Sequence, residues 1–441
     1  MYKHSPTLIF RLLSAMLLLI SSTKLFAQEP EEALLSVLNK QATPFLLPAG
    51  QENPALKAMF EGRQVIALGE ASHGTHEFYT AKAEIIKYLV QQQKVKVVAL
   101  ETDFCGIEDI NDFIQNKFDN SANTDPRFTA LYGMYGIYRT AEIYDLVKWL
   151  KAYNSDKPAS EKVSISGLDV QDPYSIAKSI LEDVKNIAID SADLKLLQKI
   201  KDDYWAAKKL KITKATQASY DNLIANLNRI AVTRNEDPAN SLFKRHLRLL
   251  EQTFALRGQP MATYRSRRDE YLAENAFWLL SNRSNNASKM VIWAHNGHIS
   301  YSGNQKLKRL GFHVKEKLGD AYFALALSFD EGDVRIYDFK GKPKGYKSFP
   351  YPPATKKNAI EYLLSKCRDS NFLIDFKRIS ADKSSLDELN KYQYMRVIGA
   401  EYQKGEQNIF FKTPILRSFD GILFFRRTTA AVGLPNERSK S

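Results

Sequence analysis

The chain has 441 residues, 44% hydrophobic and 26% charged, which is ordinary globular usage and excludes a disordered or low-complexity protein. Its formal net charge is +13, but no recognised nucleic-acid-binding motif accompanies that charge. Clusters such as Lys208-Lys209-Leu210-Lys211 and Arg265-Ser266-Arg267-Arg268 therefore read as solvated faces, and no nucleic acid partner is expected.

At the N-terminus, Lys3, His4 and Arg11 precede the apolar run Leu12 to Ile20, and Ala27 stands before Gln28 and the acidic start Glu29-Pro30-Glu31-Glu32. That is the layout of a cleavable signal peptide over residues 1–27. The run is short of the roughly 20 apolar residues that a membrane span needs, and no later stretch reaches that length without charges. The expectation is an exported protein, periplasmic or secreted, with no stable membrane span after cleavage. Its charge falls to about +10 once Lys3, Arg11 and Lys24 leave with the leader.

Three apolar runs follow one plan: Val65 to Gly69, Val95 to Leu100 and Val163 to Leu168. Each reads as a buried strand. The first two lead into helical patterns, Phe78, Ala81, Ile85, Ile86 and Leu89 after one, and Ile143, Leu146, Val147 and Leu150 after the other. From about 175 to 285 the strand signals stop and charged helical patterns take over, such as Leu194, Leu197 and Ile200. Strands resume at Met290 to Ala294, Ala321 to Phe329 and Ile422 to Phe425. Gly341 to Ala354, rich in Gly, Lys, Pro and aromatics, reads as a loop, and the tail after Pro435 as frayed. The alternation predicts an α/β fold, a mainly parallel central sheet flanked by helices, within one domain over 33–430 that carries a large helical insertion at about 175–285.

In open parallel sheets ligands collect at the carboxyl ends of the strands. Polar residues gather there: Glu70 and His73 after the first strand, Glu101 and Asp103 after the second, Asp169 and Asp172 after the third, His295 and His298 after the fourth. Of seven histidines, His73, His76, His295 and His298 fall in or just beyond these loops. Glu70 or Ser72 fits a helix cap as well as a site. His73, between Ser72 and Gly74, has an uncrowded ring, which suits chemistry better than packing. Glu101 closes an apolar strand, so its charge needs a partner, either an imidazole from a neighbouring loop or a helix N-terminus. Cys105 has the position of a nucleophile, although burial is the commoner fate of a free cysteine, and Cys105 and Cys367 are left unpaired. No Gly-x-Ser-x-Gly elbow is present. Tyr132, Tyr135, Tyr138 and Tyr144 fit either an apolar groove or the core.

The segments Gly69 to Thr75, Glu101, Tyr153-Asn154, Gly167-Leu168-Asp169, Arg268-Asp269, Ala273-Glu274-Asn275 and Ala294 to His298, in that order, resemble the erythromycin esterase family, with a weaker echo at Phe419-Asp420-Gly421. The resemblance implies hydrolysis of an ester, a macrolide lactone being one candidate and antibiotic resistance its consequence, with no cofactor and no required metal. It puts the general base on His73, supporting carboxylates on Glu70 and Glu101, and a second histidine on His295. It also puts a basic residue at Lys82, where a lysine lacks the bidentate contact an arginine would make. His298, Lys82 and Asp169 are expected on the substrate side. In this reading His73 takes a proton from water, Glu101 or Glu70 holds its ring, and His295 assists the oxyanion or leaving group. Two alternatives use the same residues. Glu70, His73, Glu101, His295 and His298 offer ligand types that zinc prefers, which would make a metal-dependent hydrolase, and a pocket there could also bind a small molecule without converting it.

Overall fold

In the computed structural model the described residues are 30–46, 53–117, 130–202, 214–234, 237–282, 289–302, 307–379, 382–402, 404 and 409–434. The signal segment, the 208–211 cluster and the tail after Pro435 lie outside them, as does the Tyr132 side chain. Among the described residues no helix is long and apolar enough to cross a membrane.

The strands are β1 Thr43–Pro44, β2 Val65–Leu68, β3 Val95–Asp103, β4 Ser164–Asp169, β5 Lys289–Trp293, β6 Tyr322–Asp338, β7 Gly345–Tyr351, β8 Asn371–Asp375, β9 Tyr394–Arg396, β10 Phe410–Lys412 and β11 Gly421–Thr428. Strands β9 and β10 form a small ribbon, and the others one nine-stranded sheet in the order β1-β8-β11-β6-β2-β5-β3-β4, with β7 on β6. The run from β11 to β4 is parallel throughout, and β1, β7 and β8 are antiparallel. The fold is thus the α/β class expected, as a mixed, mostly parallel sheet flanked by helices.

Alternation along β2 shows why the sheet is covered on both sides. Val65 and Ala67 join one apolar cluster with Leu223, Phe243 and Leu247, while Ile66 and Leu68 join another with Phe78, Ile85 and Leu146. The first cluster is roofed by the helices between β4 and β5, which run from Pro173–Asp183 through Ser191–Asp202, Lys214–Thr233 and Pro238–Leu256 to Met261–Asn282. After this excursion the chain returns to the middle of the sheet, so β5 lies between β2 and β3.

One expectation fails. Gly345–Tyr351, read as loop, is a strand paired antiparallel to the long β6. Its Pro350, opposite Asp333, is tolerated because β7 is an edge strand. The composition obscured the Tyr346, Ser348 and Pro350 alternation against Lys347 and Phe349.

Candidate active site

The carboxyl ends of β2, β5, β3 and β4 bring their loops side by side, and the position of β5 sets the His295 loop between the Glu70 and Glu101 loops. Gly69 is required there: a Cβ on it would stand 2.0 Å from Asn296 Oδ1. Asn296 in turn ties the His295 loop to β6, donating from Nδ2 to Leu327 O at 2.8 Å and accepting from Leu327 N at 3.2 Å. Gly74, at φ +82°, lets the loop turn against Arg335, whose carbonyl oxygen would lie 2.0 Å from a Cβ.

Glu70 is fully buried and does not cap the next helix. Its Oε1 lies 2.6 Å from His73 Nδ1. Its Oε2 accepts from Lys82 Nζ and, at 3.1 Å, from Trp293 Nε1. Burial opposes the charge, but Lys82 and His73 outweigh it and hold the carboxyl below its ordinary range. An ionised Glu70 accepts Nδ1–H, so the lone pair of His73 is on Nε2. That nitrogen makes no hydrogen bond among the described residues. Ser72 Oγ, also fully buried, is engaged with Thr75 Oγ1 at 2.5 Å.

Lys82 is fully buried on the helix His76–Gln93, with its Nζ over the Trp293 ring, 4.4 Å from the centroid. It meets Glu70 at Oε2, the oxygen not bonded to His73, and has no exposed surface. Burial pulls its pKa down to about 8 against the opposing pull of Glu70.

Glu101 lies where β3 carries one residue more than β4, between the pairs Leu100 to Gly167 and Asp103 to Asp169. Such a bulge re-aims a side chain at the end of a ladder. Glu101 Oε2 accepts from the backbone N–H of His295 at 2.9 Å, and Oε1 meets Arg268 Nη2 and His298 Nε2, each at 3.0 Å. Burial works against its charge, but His298 and Arg268 hold the carboxyl well below the usual carboxylate range. Glu70, and not Glu101, is therefore the carboxylate bonded to His73.

The two histidines of the Ala294 to His298 segment differ. His295 places Nε2 3.3 Å from Ala71 O and 3.2 Å from Ile398 O, and its Nδ1 accepts from Gly297 N at 3.0 Å. Its ring is thus neutral with the proton on Nε2, and burial together with nearby His73 pushes its pKa down to about 3. The ring centroids of His73 and His295 are 5.0 Å apart. His298 sits between Asp269 Oδ1, 2.6 Å from Nδ1, and Glu101. Although burial opposes its charge, these two carboxylates raise its pKa to about 9. His298 is therefore an imidazolium at neutral pH, and the 3.2 Å approach of Arg268 Nη1 to its Nε2 is two donors sharing Glu101.

Asp169 is a support. Its carboxylate accepts from Arg268 Nε and Nη2, from Tyr135 OH at 2.9 Å and from Gln171 Nε2 at 2.7 Å, with no exposed side-chain surface. Sequence reasoning gave no site role to Arg268 and Asp269, adjacent on the helix Met261–Asn282, and left Tyr138 open between an apolar groove and the core. Tyr138 is fully buried, its ring 6.5 Å from that of His73, and its hydroxyl has no hydrogen-bond partner among the described residues. Burial, then Glu70 and Glu101, push its pKa well up, so it keeps its proton. His76 stands apart, with Nδ1 2.6 Å from Glu142. Cys105 and Cys367 are buried and unpaired.

The zinc-type alternative needs several ligand atoms at one point. Among the described residues, three such atoms within 4.8 Å of one another occur only at Cys105, Glu108 and His246, outside this cluster.

The sequence model of the erythromycin esterase family matches residues 90–428. The chain is similar to an erythromycin esterase type II of Escherichia coli, with 21% identity over 411 residues, covering 85% of this chain and 92% of the relative. Among solved structures, a Bacillus cereus protein superposes with TM-score 0.74 at 20% identity, covering 92% of this chain and 99% of that one. A mutant of the erythromycin esterase EreC in its open conformation gives TM-score 0.63 at 19% identity, covering 90% and 99%.

Proposed function

The chain belongs to the erythromycin esterase family of hydrolases, and from that premise we propose that it cleaves an ester with water activated by His73, without a metal. The observation that carries the reading is the Glu70 to His73 contact at 2.6 Å with Nε2 left unbonded among the described residues. Glu70 fixes the tautomer and Lys82 fixes Glu70, so both act through His73. Nε2 takes a proton as water attacks the carbonyl carbon, and returns it to the departing alkoxide as the tetrahedral intermediate collapses. Positive charge for the oxyanion comes from Arg268 and His298, whose side chains are 15% and 13% exposed. Donors placed at developing charge commonly contribute roughly 3 kcal/mol. His295, whose Nε2 proton is engaged by two carbonyls, shapes the loop and lies beside His73 with its ring tilted by 50°. Asp169 orients Arg268.

The ester is proposed to be a macrolide lactone or another cyclic or simple ester, because the chain is similar to erythromycin esterases. Export is proposed from the leader pattern, with Gln28 as the expected N-terminus of the mature chain and N-terminal sequencing as its check. The function is tested by incubating the mature protein with macrolides and simple aryl esters, with and without chelator, and following products by mass spectrometry. Mass gain of one water in a lactone, or release of acid and alcohol, is expected. Bound but intact ligand throughout would replace the hydrolase with a binding protein.

A further inference from the structure

A second group of reactive side chains, unused by the hydrolysis above, lines a cleft of about 1210 Å³. Cys105 opens the short turn Cys105–Ile107, Glu108 begins the helix Glu108–Ile114, and His246 stands in the middle of Pro238–Leu256. One ligand-type atom from each lies within 4.8 Å of the other two. Around a tetrahedral dication such atoms sit roughly 3.3 to 3.8 Å apart, so modest side-chain rotation closes the set. His246 Nε2 is already 2.9 Å from Glu108 Oε1. Asp183 Oδ2, 2.6 Å from Nδ1, anchors the ring from behind, the carboxylate–imidazole support that metal-binding histidines usually have. Ser179 Oγ steadies Glu108 Oε2 at 2.6 Å.

We propose that Cys105, Glu108 and His246 bind a borderline-soft divalent transition metal of the zinc type, with Asp183 orienting His246 and the fourth coordination position open to the cleft. A sulfur, an imidazole nitrogen and one carboxylate select such an ion over magnesium or calcium, which take oxygen ligands. Cys105 and His246 are 7% and 2% exposed, enough shielding for a thiolate to be held by a metal, while the cleft gives the ion its way in. Asp109, Asp112, Glu182 and Asp237 line that cleft against three lysines, an excess of negative charge suited to a cation. On binding, the Cys105 thiol proton and any proton on His246 Nε2 pass to solvent, and the thiolate and Glu108 carboxylate balance the two positive charges.

The test is titration of the full mature protein with Co²⁺, followed by absorption, and with Zn²⁺ in competition with a chromophoric chelator. One equivalent of Co²⁺ should produce a near-ultraviolet cobalt–thiolate band, and zinc should remove it. Cys105→Ser should abolish the band, and Asp183→Asn should weaken binding about ten- to hundredfold by loosening the ring. Cys367→Ser and His73→Ala should leave the band unchanged, which separates this site from the other thiol and from hydrolysis. Glu108→Gln, checked by circular dichroism, guards against a folding failure in the cysteine variant and should weaken binding at least tenfold. Absence of stoichiometric uptake by the unaltered protein, or a band that persists in Cys105→Ser, would leave Glu108, His246 and Asp183 as an ion-paired triad and overturn the proposal.

Discussion

His295 and His298 come from one loop and end in opposite protonation states. Burial and His73 hold His295 neutral, with a pKa near 3, while Asp269 and Glu101 overcome burial and hold His298 charged up to about 9. An unfolded histidine titrates near 6.5, so the stability His298 contributes is fully present below that pH and is lost as pH rises through about 9. Urea unfolding between pH 6 and 10 should show a decline to which His298 contributes on the order of 3 kcal/mol at most; His246, held up to about 9 against burial by Glu108 and Asp183, adds to it, so His298→Gln should shrink the decline. An unchanged slope in that variant would place the alkaline titration elsewhere. Lys82 makes a different case. With Nζ removed, Glu70 keeps only His73 and Trp293 as partners in a fully buried position. Lys82→Met should cost roughly 3 to 5 kcal/mol in unfolding free energy, the usual result of stranding one half of a buried pair. It should also lower kcat through His73, and a loss below about 1 kcal/mol would show that Glu70 does not need the ammonium.

At the scale of elements, the site depends on strand order and on close backbone contacts. Gly69→Ala puts a methyl group 2.0 Å from Asn296 Oδ1 and should force apart the β2 loop and the His295 loop. A loss of about 1 to 3 kcal/mol is expected, with kcat reduced more than KM because the base is displaced. A fully active variant would mean that the two loops can separate without moving His73. The same elements explain what the sequence disclosed. Glu70, His73 and Glu101 were legible because each comes at the end of an apolar run, where period and position suffice. Strand order was not, since β5 follows β4 in sequence yet lies between β2 and β3 in space, and only the return path of the helices puts it there. Arg268 and Asp269 escaped because their helix has polar residues on several faces, and packing alone selects the face turned to Glu101 and His298. Tyr138 was left open between groove and core because an aromatic near a helix start fits either; it lies in the core, its hydroxyl without a partner among the described residues. Substrate-side roles for Lys82 and Asp169 were inferred from sequence without knowing depth, and both side chains lie fully beneath the residues they support.

For the molecule as a whole, ionisable groups meet in two places, the His73 cluster and the Cys105 cleft, and no residue of the first lines the second. The proposed hydrolysis by His73 uses no ligand atom from the second. Exhaustive chelation should therefore leave ester turnover within about twofold while lowering the thermal midpoint if the cleft holds a metal. Loss of turnover that zinc restores would instead couple the metal to catalysis. The central claim is that one imidazole, oriented by Glu70, activates water. Its most direct measurement is kcat/KM of His73→Ala on whichever ester the mature protein hydrolyses, alongside circular dichroism and the unfolding midpoint. A fall of at least about a thousandfold with the fold intact is expected when a general base and its bound water are both lost. Turnover within tenfold of the unaltered protein would contradict it.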